Sequence, residues 1–217
     1  MPKIIVFSGL DGSGKSTQIN IVETYLQNQD KKVFKFWSRG GYSPGFQKLK
    51  DILRFILKKN IPKPGKSKLR EKSLKNSIVR NLWLYISIFD LILFYAFILR
   101  IKYFLGYNII FDRYILDTEI DFNLAYPKIN FNKWFIWKLL KFLSLKPDHH
   151  FVLLISVKES LRRSKLKDEP FPDSEEVLTK RLKCYENKFL IEKSMNKIWC
   201  EDSINIISKK IIELIIK

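Results

Sequence analysis

Near the start of the chain, Gly9-Leu10-Asp11-Gly12-Ser13-Gly14-Lys15-Ser16-Thr17 combines residue types and a spacing that can hold phosphate. It fits G-x-x-x-x-G-K-[ST], with Gly9, Gly14, Lys15 and Ser16 at the fixed positions. Glycines let successive backbone N–H groups turn inward and form a nest for anionic oxygens. A helix that starts near Lys15 adds the positive end of its dipole. The lysine of such a loop reaches the β- and γ-phosphates of a nucleoside triphosphate, and the hydroxyl after it, here Ser16, ligates Mg²⁺. Residues 9–17 are therefore expected to bind ATP, with Mg²⁺ as cofactor. No Asn/Thr-Lys-x-Asp stretch that would read guanine is present.

Four further stretches can serve such a donor. Ile109-Ile110-Phe111-Asp112-Arg113-Tyr114 is an apolar run that ends in an acid. Asp112 there is a candidate for ordering Mg²⁺, and Arg113 can fork two phosphate oxygens. Leu161-Arg162-Arg163-Ser164-Lys165-Leu166-Lys167 sets cations where a lid could close over a transferring phosphoryl group. Arg39, in Trp37-Ser38-Arg39-Gly40-Gly41, is placed to clamp an acceptor phosphate. Asp11 is an acid inside an anion-binding loop, unfavourable there unless it binds something, and a sugar hydroxyl would serve. His149 and His150 have no companions at metal-ligand spacing and read as structural. No Ser-His-Asp or Cys-His arrangement can be assembled.

The elements that would position these residues alternate. Short apolar runs at 3–8, 32–37, 108–111, 150–155 and 197–199 read as strands. Helical spacing recurs at 15–29, 46–58, 74–105, 131–143, 158–166, 174–192 and 203–216. Alternating strands and helices predict an α/β fold, a parallel sheet covered on both faces. With 217 residues and no internal repeat, the chain reads as a single domain, 1–217. Residues 82–99 carry one charge, Asp90, at the centre of an otherwise apolar run. A charge at mid-membrane is costly, so this run reads as a helix buried in protein or at a subunit interface.

Composition sets wider bounds. Hydrophobic residues make up 46% of the chain, enough for a substantial core. The formal net charge is +18, and such a surface attracts polyanions. The densest basic run, 58–75, holds two prolines and a glycine and reads as a solvated loop. Cys184 and Cys200 form no metal or redox spacing, so a reduced, cytoplasmic protein is the expectation. Met1-Pro2-Lys3 leads straight into a strand-like run rather than a secretory leader.

Taken together, FSGLDGSGKSTQI, SRGG, IIFDRY and PDHHFVLLISVKESLRR resemble the thymidylate kinase family of nucleoside monophosphate kinases. The resemblance implies a P-loop NTPase three-layer fold, with a five-stranded parallel sheet and a small lid at about 161–173. It implies that Asp11 meets the acceptor sugar, that Arg39 holds the acceptor phosphate, and that Asp112, Arg113 and Tyr114 form the DRY signature. It places the catalytic cations at Lys15, Arg113, Arg162 and Arg163. A homodimer through helices near the long apolar one is also implied. Two departures stand out. The arginine that reads thymine in the family would fall near Leu91, and Asp90 takes its place as an acceptor-binding candidate. After Tyr114 the family's serine pair is replaced by Leu116-Asp117-Thr118.

The leading expectation is ATP-dependent conversion of dTMP to dTDP. Two alternatives stay open. One is phosphorylation of another acceptor, a nucleotide, sugar or lipid-linked intermediate at a membrane surface, which the apolar helix and basic loop would suit. The other is a nucleotide-dependent nucleic-acid-binding protein, for which the basic-plus-aromatic pattern is missing.

Overall fold

The computed structural model describes residues 1–37, 76–167, 173–192 and 194–216. Arg39, the predicted helix at 46–58, the basic loop at 58–75 and lid residues 168–172 lie outside the described residues. In chain order the described elements are β1 (Ile4–Gly9), α1 (Lys15–Gln27), β2 (Val33–Trp37), α2 (Ser77–Leu93), a π-helical segment (Phe94–Ile98) and α3 (Leu99–Phe104). Then follow β3 (Asn108–Asp112), α4 (Ile115–Ala125), a 3₁₀ turn (Phe131–Lys133), α5 (Phe135–Leu143) and β4 (His149–Leu154). The chain closes with α6 (Val157–Leu166), α7 (Glu175–Ile191), β5 (Met195–Trp199) and α8 (Ile204–Ile216).

These elements fall into two compact units. The first takes the described residues within Met1–Ser38, Ile101–Ile129 and Leu145–Lys217. It holds a five-stranded sheet in the order β2-β3-β1-β4-β5, every pair parallel. Ile5, Val6 and Phe7 of β1, Ile109 to Phe111 of β3 and Phe151 to Leu154 of β4 are all fully buried. Side chains of a strand alternate between faces, so both faces of the central sheet are covered. α1 buries Ile19, Val22 and Leu26, and α8 buries Ile207, Ile211 and Ile215, each set at helical spacing. Each such burial is worth about 1.5–3 kcal/mol.

β1 lies at the centre with β3 and β4 on either side. The chain therefore builds outward from β1 in both directions. In open α/β sheets ligands bind at the carboxyl ends of the strands, at such a switch point. The register sets Phe7 beside Asp112 and Gly9 beside Leu153, which brings the ends of β1, β3 and β4 together.

The second unit takes the described residues within Arg39–Arg100 and Asn130–Ser144. Asn76 caps α2, its side-chain oxygen accepting from the Ile78 and Val79 amides at 2.9 and 3.4 Å. α2 packs on α5 and the turn before it: Tyr85 stacks on Trp134 with ring centroids 4.4 Å apart. The Arg100 guanidinium donates to the Leu143 carbonyl at 3.0 Å and covers the last turn of α5. The continuous helix Ser77–Phe104 is by length and composition apolar enough to cross a membrane, with half of its apolar window buried in the protein.

Most predicted elements are present within a residue or two of their expected ends. α4 is not among the expectations. Its buried side includes Asp117 and Thr118 beside Leu116, Ile120 and Phe122. Polar residues on the inward face erase the apolar stripe by which a helix is read.

Candidate active site

The loop between β1 and α1 has the backbone that its glycines predict. Gly9 has φ of 140°, and a Cβ there would lie 2.0 Å from the Leu153 carbonyl oxygen. Only glycine fits this approach to β4. Gly14 has φ of 88° and turns the chain into α1, so that Lys15 opens the helix. The first-turn amides of α1 have no earlier helical partners and remain available to an anion. The hydroxyls of Ser16 and Thr17 are on exposed residues, while Leu10 and Ser13 are buried beneath the loop.

Lys15 is buried, and its ammonium donates to the carbonyls of Gly9 and Leu10 at 3.1 and 2.7 Å. Burial, and then the nearby Arg113 charge, lower its pKa to about 8. Asp11 lies 4.0 Å from the same ammonium and forms an ion pair with Arg113. Arg113 is itself buried and sits at the end of β3 with φ of 73°. A bulky residue in this left-handed region costs on the order of 1 kcal/mol or more, a strain that clusters at functional positions. Its amide is held by the Phe7 carbonyl at 2.8 Å. Burial opposes its charge, but the carboxylates of Asp117, Asp11 and Asp121 outweigh that and raise its pKa.

Asp112 precedes it. One carboxylate oxygen of Asp112 is buried without a hydrogen-bond partner, and burial raises its pKa. An orphaned hard oxygen at the strand end, and an exposed hydroxyl on Ser16 in the first turn of α1, are donors of the kind that a cation favouring oxygen takes. Among the described residues no group of three or more His, Cys, Asp or Glu could cage a metal. The donor set thus fits Mg²⁺ arriving with phosphate oxygens rather than an all-protein site.

The two arginines of α6 part company. Arg163 donates to the Gly12 carbonyl at 3.2 Å, to the Cys200 carbonyl at 3.2 Å and to Glu159 at 2.6 Å. Arg162 forks Glu159 through two bonds of 2.7 Å and is 61% exposed. Glu159, bonded by both guanidinium groups, has its pKa lowered to about 2. Tyr114 is buried; its hydroxyl donates to the Leu145 carbonyl at 2.9 Å and its ring lies 4.3 Å from that of Phe111. Asp90 lies in the second unit, buried on α2. Both cysteines are free thiols, and burial pushes Cys200 up to about 12.

Sequence reasoning missed several groups that shape this site. Ser160 donates to the Asp11 carbonyl at 2.7 Å and fixes the middle of the loop. Behind the loop, Ser8, Asp117 and Tyr185 form one buried polar cluster, which the half-buried His150 joins through Ser8. The one signal for it was Asp117, a carboxylate where serine was expected.

Comparisons with known proteins give the family and the fold. The chain is 31% identical over 170 residues to the thymidylate kinase of Caldicellulosiruptor saccharolyticus, covering 76% of this chain and 70% of that one. This chain belongs to the thymidylate kinase family. A shorter and closer match, 51% identical over 49 residues, joins it to the thymidylate kinase of Thermosipho melanesiensis. In that match the chain spans about a quarter of the relative's length, 24%, and 23% of its own. The crystal structure of thymidylate kinase from Ehrlichia chaffeensis shares the fold, with a TM-score of 0.57 over 100% of this chain and 99% of that one, at 18% identity. No family model matches the chain.

Proposed function

We propose that this kinase-family chain moves the γ-phosphoryl group of ATP to the phosphate of dTMP, giving dTDP. The carrying observation is one ion-pair network that joins a buried lysine of the phosphate loop to a buried arginine at the end of β3, through Asp11. Lys15 leaves the loop carbonyls and takes the donor's β- and γ-phosphates. Ser16 and Asp112 would hold Mg²⁺, which when bound neutralises charge on the donor phosphates. Arg113, with Arg39, holds the acceptor phosphate in line. Arg163, already on the loop at Gly12, and Arg162 bring positive charge to the transferring group. The acceptor phosphate is itself an anionic nucleophile, so positioning and charge stabilisation carry the catalysis.

The test is ADP release from Mg-ATP with dTMP, dUMP, UMP, CMP, AMP or GMP, beside a reaction without acceptor. Turnover that depends on dTMP supports the proposal. ADP release that no nucleotide increases overturns it.

The same proposal includes a cytoplasmic homodimer. Every exposed position from residue 78 to residue 105 is apolar or aromatic, among them Ile78, Leu82, Phe89, Leu93, Phe97 and Ile101. That stripe is about 40 Å long at helical rise, far more than a soluble monomer leaves bare. A second copy covers it by self-complementary pairing. Sedimentation reports a dimer if this holds; a monomer that binds lipid vesicles points instead to a membrane surface.

A further inference from the structure

Arg113 faces two carboxylates of different character. Asp11 belongs to the phosphate loop and its side chain is 34% exposed, whereas that of Asp117 is 1% exposed. Asp117 stands on the first turn of α4, with its Oδ1 3.6 Å from an Arg113 terminal nitrogen. The same Oδ1 accepts from the Tyr185 hydroxyl at 2.6 Å. Its Oδ2 accepts from the Ser8 hydroxyl and from the Tyr114 amide at 3.0 Å. A carboxylate held by three hydrogen-bond donors and paired with one guanidinium cannot swing away without stranding a buried charge.

The cluster also reaches the phosphate loop. The Gly9 amide lies 3.3 Å from the Tyr185 oxygen. A phenol has one proton. With that proton donated to Asp117, the oxygen accepts from Gly9, so hydrogen bonds run from Gly9 through Tyr185 to Asp117 and an ion pair carries on to Arg113. Ser8, which gives its proton to Asp117, lies 2.9 Å from the His150 Nε2 and accepts from it when that nitrogen carries the proton.

We propose that Asp117 is the positioning residue of the acceptor arginine: it anchors Arg113 and, through Tyr185, ties it to the first glycine of the phosphate loop. Asp11 is then the exchangeable partner, the carboxylate that an acceptor phosphate displaces from the guanidinium while Asp117 stays in place. The inference rests on the kinase reading above. It goes beyond it by naming a residue that touches neither substrate and that departs from the serine expected at its position.

The experiment uses the full chain and the variants Asp117→Asn, Tyr185→Phe and both together. Steady-state rates are measured with varied dTMP at saturating Mg-ATP, alongside the equilibrium affinity for ATP alone and the melting temperature. Asp117→Asn keeps the shape and removes the charge. It is expected to lower kcat/KM for dTMP about 10- to 100-fold, mainly through KM, with ATP affinity changed by less than about threefold. Tyr185→Phe, which removes one hydroxyl, is expected to cost both substrates about three- to tenfold. The double variant should fall short of the product of the two, as expected for groups in contact. If Asp117→Asn does not fold, Tyr185→Phe decides alone, and equal kinetics to the wild type overturn the proposal. Unchanged KM for dTMP in Asp117→Asn, or losses in both substrates that merely follow the folded fraction, also overturn it. These failures leave wild-type turnover intact, whereas a wild-type chain that phosphorylates no acceptor overturns the kinase reading and this inference together.

Discussion

The phosphate loop with its surroundings and the long helix of the second unit invert the usual rule of burial in opposite ways. Around the loop, Lys15, Arg113 and Asp117 are charged and buried. Along the helix, Ile78, Phe89 and Phe97 are apolar and exposed, by 76%, 52% and 61%. Both arrangements cost stability in an isolated chain. Buried charge loses hydration, and bare apolar surface orders water. The first cost is offset internally, because each charge has a partner of opposite sign or a carbonyl within reach. The second has no offset within α2 itself and calls for another surface. Buried, paired charge suits a small anionic ligand, and bare apolar surface suits a large apolar partner.

The largest effect is expected at Lys15. Lys15→Ala is expected to abolish turnover, by about 10³-fold or more, while the circular dichroism spectrum and the melting transition stay cooperative. Retained turnover would strip the loop of its role. Gly9→Ala tests the backbone rather than the charge. Its methyl group meets the Leu153 carbonyl oxygen at 2.0 Å, so a loss of several kcal/mol in denaturant unfolding is expected. A melting curve equal to the wild type would mean that β1 and β4 are not so closely set.

On the helix, Phe89→Asp places a charge in the middle of the exposed stripe. It is expected to shift a sedimenting dimer to monomer while leaving the fold intact, since position 89 is exposed in the unit itself. An unchanged dimer would move the interface elsewhere. Between the two arginines of α6, Arg163→Ala should lower kcat by about 10-fold or more and Arg162→Ala by less, because Arg163 and not Arg162 already contacts the loop. Equal losses would mean that the lid rearranges before transfer.

The smallest effect is on pH. In the free chain Lys15 loses its proton near pH 8, below the ordinary 10.5. A bound triphosphate favours the charged form and pulls the value back up. Binding must then take up a proton between those limits, and ATP affinity must fall as pH rises through about 8. Calorimetry at pH 8.5 in buffers of different ionisation enthalpy reads that uptake directly. Binding with no proton uptake would show that the lysine is already fully charged.

Much of this protein could be read from the chain alone. The phosphate loop is legible because its chemistry is local. Nine consecutive residues supply the nest, the cation and the hydroxyl, and glycine has few other reasons to recur so closely. The three central strands, β3, β1 and β4, are legible because a buried strand is a short apolar run. The DRY stretch announces its acid and arginine at a strand end. Membership of the thymidylate kinase family followed from the order of these pieces, and the comparisons agree.

Other features needed the fold. Asp117 and Tyr185 are separated by 68 positions, and Tyr185 and Gly9 by 176. Asp117 showed only as a departure from the family's serine and Tyr185 not at all, since a buried polar side chain is stable only where distant partners complete its hydrogen bonds. The same dependence hid α4, whose inward acid broke the apolar stripe. It also separated Arg162 from Arg163, neighbours in sequence that a helical turn directs to solvent and to the loop. The apolar run at 82–99 could be seen in sequence to need covering, but which side stays bare was decided by packing against α5. Sequence by itself determined the chemistry that contiguous residues can perform. Tertiary structure decided which charges could be buried and which apolar surface was left over, because both depend on groups that only folding brings together.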